Sequence, residues 1–298
     1  MDAGDLAIFA AVARAGAITK AAKTLNTVQS NVTQRVRSLE AELGVPLFHR
    51  HSRGVTLTGA GSQLLPYAER IGALMGEARK AAADGVVPRG RIAVGALETA
   101  TALRLPPILA AYAARCPEVD IEIVTGTSAE LVDAVLARHL ELAFVAGPVR
   151  HPELEARPVI AEELVVVTAP GIAGLDEVAV KARTSKLKLV VFRQGCTYRA
   201  QLEAVLAARG VVDVRRLEFG TLDGIVGCVG AGIGITMLPR AVVAAAAAAG
   251  RVALHALPPT KARVETVLIR RCDAFISTAL ARFIEIAQQA LRRRRSAQ

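Results

Sequence analysis

Hydrophobic positions near the start of the chain recur at helical spacing and are followed by a short turn. Leu6, Phe9 and Val12 fall three residues apart, as on one face of an amphipathic helix. Residues 21–25 add a small apolar ridge that another helix can cross closely. Thr19 is the expected N-cap of that second helix. The pattern predicts two short helices packed against each other.

A third helix follows the Asn26-Thr27 turn, and its two faces differ sharply. Its apolar stripe, at spacings of four, four and three, consists of Val28, Val32, Val36 and Leu39. The opposite face could offer hydrogen-bond donors and acceptors to base edges and phosphates in a DNA major groove. An ordinary solvated surface helix is the alternative interpretation of the same pattern.

The residues after this helix favour DNA binding over that alternative. Residues 50–57 predict a short hairpin with a Ser-Arg-Gly tip. Such a wing would hold Arg50 and Arg53 beside the helix, where they could contact phosphate or the minor groove. Between residues 14 and 53, seven basic residues stand against two acidic ones. The segment therefore predicts a winged helix-turn-helix.

The order of these features resembles the LysR-type transcriptional regulators. The resemblance is carried by the helix-turn-helix, the run LEAELGVPLFHR, a wing that ends in LTGAG, and a long following helix. It implies that the recognition helix and its flanks contain Gln29, Ser30, Asn31, Thr33, Gln34, Arg35 and Arg37, with Arg50 and Arg53 in the wing. Family members often carry a capping hydroxyl where this chain has Val28, so Thr27 is the alternative cap.

A long helix is predicted after the wing, over residues 59–84. A heptad seam runs along it through Leu64, Ala68, Ile71, Met75 and Ala78. An exposed seam of this kind favours dimerisation with a second copy of the chain. The dimer would present two helix-turn-helix units to an inverted repeat in DNA. Packing of the seam on its own domain is the alternative. Pro66 is expected to kink or loosen the helix.

Turn formers at residues 85–90 mark a hinge into a region of short apolar runs alternating with helical segments. Strands are predicted at 91–95, 119–124, 141–145, 163–168, 188–192, 215–219, 233–237 and 264–269. The fold class is therefore α+β and multidomain. The resemblance implies that residues 91–291 form a two-lobed α/β effector domain like the periplasmic binding proteins. We expect lobe I at about 91–160 plus 265–291 and lobe II at about 161–264.

Four loops follow predicted strands and combine hydroxyls or glycine with a helix start. Ligands collect at the carboxyl ends of strands in such sheets, and the resemblance implies that these loops build the effector pocket. The expected effector-binding residues are Thr99, Thr101, Thr127, Ser128, Arg193, Cys196, Thr197, Arg199 and Thr221. Arg193 and Arg199 could pair with a carboxylate. Simple N-capping by Thr99, Thr127, Thr197 and Thr221 is the alternative.

Cys196 supports a second hypothesis, a thiol-based redox regulator. A thiol at a helix N-terminus beside arginines is expected to have a lowered pKa and to be open to oxidation. A small, semi-buried cysteine that lines the pocket is the alternative.

A small-molecule binding protein without a gene-regulatory role is a third hypothesis, for the second half of the chain.

Composition narrows the function further. The net charge of +10 over 298 residues favours a polyanionic partner, and double-stranded DNA is the partner expected. The basic run within residues 292–298 is expected to be a disordered tail. We find no catalytic motif, no metal-ligand or CxxC spacing, no export signal and no apolar run long enough for a membrane span. We therefore expect a cytoplasmic regulator, homodimeric and by resemblance tetrameric, without enzymatic activity, metal or cofactor.

Overall fold

A computed structural model of the protein describes residues 1–184 and 188–295. The chain divides into two compact units, one built on Met1–Asp84 and the other comprising Gly85–Leu136 and the residues from Leu140 onward. The first unit contains the helices α1 (Ala3–Ala15), α2 (Ile18–Thr24), α3 (Gln29–Leu43) and α4 (Gly59–Ala83), and the strands β1 (Phe48–His51) and β2 (Gly54–Leu57).

The core of the first unit forms where the apolar stripes of its helices meet. Phe9 of α1 is fully buried and its ring lies 5.3 Å from that of Phe48 at the start of β1. A capping box formed by Asp2 and Asp5 satisfies the amides at the start of α1. The strands β1 and β2 pair antiparallel, with the tip of the predicted wing between them. The helix-turn-helix and wing expected from the sequence are therefore present.

The two caps expected from the sequence are wrong. The N-cap of α2 is Ala17, not Thr19, and the N-cap of α3 is Val28, not Thr27; neither makes a side-chain capping bond. Thr27 instead accepts a hydrogen bond from Asn31 Nδ2 at 3.0 Å. Val28 is 65% exposed, so its predicted place in the apolar stripe is also wrong, and the buried stripe of α3 begins at Val32.

The second unit contains a mixed sheet flanked by helices. Its strands are β3 (Gly90–Ala96), β4 (Val119–Thr125), β5 (Leu142–Ala146), β6 (Leu154–Thr168), β7 (Lys188–Phe192), β8 (Arg215–Phe219), β9 (Gly234–Pro239), β10 (Ala253–Ala256) and β11 (Arg263–Arg271). The hydrogen-bonded order is β4-β3-β5-β11-β6-β9-β7-β8, with β10 on β6. All eight predicted strands are present, whereas β10 and the first half of β6 were not predicted.

Two long antiparallel strands, β6 and β11, join the two lobes of this sheet. Their pairing runs from Arg263 opposite Glu163 to Arg271 opposite Leu154, with an irregularity between Thr266 and Val267. The first part of β6 lies beside lobe I, whereas its second part pairs with β9 and β10 of lobe II. Parallel strands β3, β4 and β5 form lobe I, and β7, β8 and β9 continue lobe II.

Helices cover the faces of both lobes. They are α5 (Glu98–Leu103), α6 (Leu105–Arg115), α7 (Ser128–Leu136), α8 (Leu175–Thr184), α9 (Thr197–Ala207), α10 (Leu222–Gly230), α11 (Arg240–Ala248), α12 (Pro259–Ala262) and α13 (Thr278–Arg295). Tyr112 of α6 packs 5.3 Å from Phe283 of α13 and donates a hydrogen bond to the Ala279 carbonyl. Helix α13 continues to Arg295, so the expected disorder of this basic run is wrong; residues 296–298 lie outside the described residues.

Two glycines in the first turn of α4 provide a matched test of packing in the first unit. A Cβ at Gly61 would lie 2.2 Å from the Leu47 carbonyl oxygen, whereas a Cβ at Gly59 would meet nothing within 4 Å. We expect Gly61→Ala to lower the free energy of unfolding by about 1–3 kcal/mol, because the turn before the wing must shift. Gly59→Ala is expected to be neutral or stabilising by up to about 1 kcal/mol. Urea unfolding of the full chain would measure both, and equal effects would contradict the prediction.

Candidate functional site

One face of α3 is open to solvent and carries the polar side chains expected to read DNA. Gln29, Ser30, Gln34 and Arg37 are exposed, and together with Thr33 and Ser38 they line a shallow groove along the helix. Val32, Val36 and Leu39 are almost completely buried on the opposite side. Ser38 was not predicted from the sequence, although it lies four residues after Gln34 on the same face.

Three of the expected DNA-contacting residues make bonds inside the unit. Arg35 lies 2.9 Å from Asp5 and 3.3 Å from Asp2, so its guanidinium joins α3 to the start of α1. Asn31 donates to Thr27, and the Thr33 hydroxyl donates to the Gln29 carbonyl at 2.9 Å. Arg35 therefore has a structural role in this unit, which the charge of the segment alone did not indicate.

Glu40 positions the wing against the end of α3. Its carboxylate accepts hydrogen bonds from the Leu47 and Phe48 amides, at 2.9 and 3.3 Å, and from the Arg50 guanidinium at 3.3 Å. Arg50 is therefore partly neutralised. Arg53 at the tip is exposed, and no side chain among the described residues pairs with its guanidinium.

The heptad seam of α4 divides into a buried half and an exposed half. Ala68 is 1% exposed and Leu64 packs against the core of the first unit, as the alternative interpretation predicts. Farther along the helix, Ile71 and Met75 are exposed. An exposed apolar stripe thus runs along α4, and its members are Tyr67, Ile71, Leu74 and Met75.

In the second unit, a cavity lies where four parallel strands end. The loops after β3 and β4 in lobe I and after β7 and β8 in lobe II contribute its lining residues. These are Leu97, Glu98, Thr99, Thr125, Gly126, Thr127, Phe192, Arg193, Cys196, Tyr198, Phe219 and Gly220. The cavity volume is about 40 Å³. A site of this size fits a small ligand held between two lobes.

Four of the nine expected effector-binding residues line this cavity: Thr99, Thr127, Arg193 and Cys196. The other five, which do not line it, are Thr101, Ser128, Thr197, Arg199 and Thr221. Among these five, the Arg199 side chain is bound outside the cavity. Its guanidinium lies 2.6 Å from Glu218 and 3.3 Å from Glu203, and these carboxylates already offset its charge.

Local bonding explains the positions of the other four residues. The Thr101 hydroxyl donates to the Leu97 carbonyl, and Thr221 is the N-cap of α10. Thr197 donates to Ser128 Oγ at 3.3 Å, which links α9 of lobe II to α7 of lobe I. Capping, the alternative for four threonines, is correct for Thr221 and for Thr127, which accepts from the Glu130 amide.

Three further contacts join the lobes beside the cavity. The hydroxyls of Thr99 and Tyr198 share a hydrogen bond of 3.4 Å, and both residues are buried. Arg193 lies 3.7 Å from Glu130, and the Thr127 amide donates to that carboxylate, which lowers the pKa of Glu130. Gly195 has φ of +93°, and a Cβ there would lie 2.9 Å from the Thr127 hydroxyl. The loop at 193–198 thus closes directly onto lobe I.

Cys196 is the N-cap of α9 and is buried. Burial raises the pKa of its thiol, and this effect outweighs the opposing influence of the Arg199 and Tyr198 amides. The expected lowering of its pKa is therefore wrong, because the thiol is removed from water and the nearby Arg199 is neutralised by two carboxylates. The alternative, a small buried cysteine lining the pocket, describes the observed position.

Sequence reasoning missed the aromatic and ionic groups around the cavity. Phe192 and Phe219 end β7 and β8 and line it, as does the buried Tyr198. Arg104 forms a bidentate ion pair with Glu162 of β6, at 3.0 and 2.7 Å, and both side chains are less than 10% exposed. The position of the aromatics at predicted strand ends was an available signal, whereas no local pattern pairs residues 58 positions apart.

Comparison with known proteins gives both units the same assignment. Residues 4–62 match the model of the bacterial regulatory helix-turn-helix protein, lysR family, and residues 86–292 match the LysR substrate binding domain. The HTH-type transcriptional regulator GltR of Bacillus subtilis is 41% identical over 94% of this chain and 93% of its own. The uncharacterized HTH-type transcriptional regulator YusT of the same organism is 44% identical, over 96% and 95%.

Solved structures agree with this assignment. The LysR family regulator CbnR in complex with its target DNA matches with a TM-score of 0.65 and 26% identity, over 97% of this chain and all of the other. Among the described residues of the present chain, no helix is both long and apolar enough to cross a membrane. The chain belongs to the LysR family of helix-turn-helix transcriptional regulators.

Proposed function

We propose that the cavity between the two lobes is the effector site of this DNA-binding regulator. The observation that carries the proposal is the convergence of four strand-end loops, two from each lobe, on one small cavity. A ligand held there would contact Thr99 and Thr127 from one side and Arg193 and Tyr198 from the other. Its binding energy would therefore depend on how the lobes are closed.

The contacts between the lobes are the groups that such a ligand would rearrange. Thr99–Tyr198, Ser128–Thr197 and Glu130–Arg193 all join lobe I to lobe II. A ligand that binds more tightly to one degree of closure shifts the population toward it, whereas equal affinity for both states shifts nothing. Regulation would follow if closure of the lobes changed how the helix-turn-helix units of an oligomer bind DNA.

For DNA reading, we propose that neutral side chains supply specificity and a few cations supply affinity. Gln29, Ser30 and Gln34 are exposed on α3 and suit base edges. Arg37 and Arg53 suit phosphates. Arg35 is removed from the expected contacts, because Asp2 and Asp5 already bind it. Arg50, Asn31 and Thr33 remain secondary candidates.

We further propose a homodimer formed through α4, with a tetramer as the expected larger assembly. The support is the exposed stripe of Tyr67, Ile71, Leu74 and Met75, since single exposed apolar residues are common but a helical stripe of them marks an interface. The LysR family regulator CbnR, solved with its target DNA, matches 97% of this chain.

A redox trigger at Cys196 has less support than a metabolite. The thiol is buried and its pKa is raised, so little reactive thiolate forms near neutral pH.

DNA affinity and specificity should respond to different substitutions. With a site selected from a random duplex library, Arg53→Ala should weaken binding to all sequences and reduce the slope of log K against log salt by about one, since one phosphate is no longer neutralised. Gln34→Ala should cost about 1–3 kcal/mol at particular base pairs and change the selected sequence. Fluorescence anisotropy at several salt concentrations would measure both. Arg115→Ala, which removes the same charge from an exposed site in the second unit, is the control; an Arg53→Ala slope equal to its slope would contradict the wing assignment.

Dimer formation should fail when charge enters the exposed stripe of α4. Ile71→Glu combined with Met75→Glu should raise the dimer dissociation constant by more than about 30-fold, because a carboxylate cannot be buried unpaired at an interface. Light scattering after size exclusion would give the mass as a function of concentration. Gln63→Glu adds charge to an exposed polar site of the same helix and should leave the mass unchanged. Unchanged association in the double variant would place the interface elsewhere.

Cys196 should react slowly with alkylating agents. Because burial raises its pKa, iodoacetamide at neutral pH should modify the exposed Cys272 several-fold faster than Cys196. The stabilisation of the protonated thiol is present at neutral pH and is lost as the pH rises through the raised pKa, so the rate at Cys196 should climb in alkaline solution. Peptide mass spectrometry would follow each site, with Cys196→Ser as the control. Faster labelling of Cys196 than of Cys272 would return the redox hypothesis to first place.

A further inference from the structure

One carboxylate on the cavity wall is paired with no side chain among the described residues. Glu98 lies in the first turn of α5, is half-buried and lines the cavity. Among the described residues, none makes a hydrogen bond or an ion pair with its carboxylate. A cationic group bound beside this half-buried carboxylate would form a charge-assisted hydrogen bond with it.

The cationic side chain on the cavity wall already has an acidic neighbour. Arg193 lies 3.7 Å from Glu130, whose carboxylate also accepts the Thr127 amide. Arg199 is held outside the cavity by Glu203 and Glu218. The charge that remains uncompensated in the cavity is therefore negative, and an anionic ligand would meet repulsion from Glu98.

The apolar part of the wall also suits a cation. Phe192 and Phe219 line the cavity from lobe II, and the buried Tyr198 of the same lobe lines it where its hydroxyl meets that of Thr99. Aromatic faces carry negative partial charge and attract ammonium groups. The cavity, with a volume of about 40 Å³, suits a small ligand.

We propose that the effector is a small compound with an ammonium group, a primary amine or an amino acid, and that Glu98 binds that group. This inference rests on the proposed effector site. Glu98 belongs to lobe I and the phenylalanines to lobe II, so an ammonium group between them is attracted by both lobes. Its binding would favour the closed state, which is the differential affinity that regulation requires.

A size-matched set of compounds tests the inference on the full-length protein by isothermal titration calorimetry. Propylamine and alanine each carry an ammonium group, and propionate carries only a carboxylate. We expect at least one ammonium compound to bind at millimolar concentration or below, and propionate not to bind. Comparing propylamine with alanine shows whether the ligand is a simple amine or an amino acid; binding of either supports the inference.

Three variants assign the site. Glu98→Gln should weaken binding of the ammonium compound at least about tenfold, as expected for loss of a charge-assisted hydrogen bond. Glu118→Gln, which neutralises an exposed carboxylate of the same unit outside the cavity, should leave it unchanged. Thr125→Trp enlarges an exposed residue on the cavity wall and should block any ligand there. Unaltered thermal unfolding of the three variants establishes that each is folded.

The outcomes separate this inference from the proposed site. Binding of propionate that Thr125→Trp abolishes would overturn the ammonium inference and leave the cavity as the effector site. Binding of an ammonium compound that neither Glu98→Gln nor Thr125→Trp weakens would overturn both. Absence of binding by both ammonium compounds at millimolar concentration would overturn the inference, while the cavity could still be tested with carboxylates.

Discussion

The antiparallel pairing of β6 with β11 is the interaction on which the whole second unit depends. These two strands run from lobe I to lobe II, and each lobe adds its remaining strands to one end of the pair. The ladder is interrupted between Thr266 and Val267, where the register shifts. Such irregularities bend and twist a strand pair. The break in register thus lies within the strand pair that joins the two lobes.

This arrangement determines where a ligand can bind. The carboxyl ends of two parallel strands from each lobe face one another, so the loops after β3, β4, β7 and β8 line one cavity. The buried pair of Arg104 and Glu162 fixes the start of α6 to the crossing strand β6. Removing one partner of such a pair typically costs about 3–5 kcal/mol, since the other charge stays buried. This pair therefore ties the junction of α5 and α6 in lobe I to the crossing strand β6.

Local sequence patterns were sufficient to predict the helices and strands. They did not reveal contacts between residues that are distant in the sequence. The periodicity of apolar positions and the turn-forming residues located the eight predicted strands and the wing. Both signals are properties of neighbouring positions in the sequence. The same reasoning placed Arg199 in the cavity, because it could not foresee that Glu218, on the next strand, would bind it. It also predicted a lowered pKa for the Cys196 thiol, because burial depends on the packed fold and not on the helix start alone.

The charge of the DNA-reading segment illustrates the same limit in the first unit. Seven basic residues between positions 14 and 53 suggested a broadly cationic surface, yet Arg35 holds α3 against α1 and Arg50 holds the wing through Glu40. Charge used in this way stabilises the unit and contributes less to counterion release than its count implies. If Arg37 and Arg53 are the phosphate contacts, as proposed, each DNA-binding unit has few strong phosphate contacts of its own. A second reader in the same assembly would double those contacts, so oligomerisation through α4 and tight DNA binding would depend on each other.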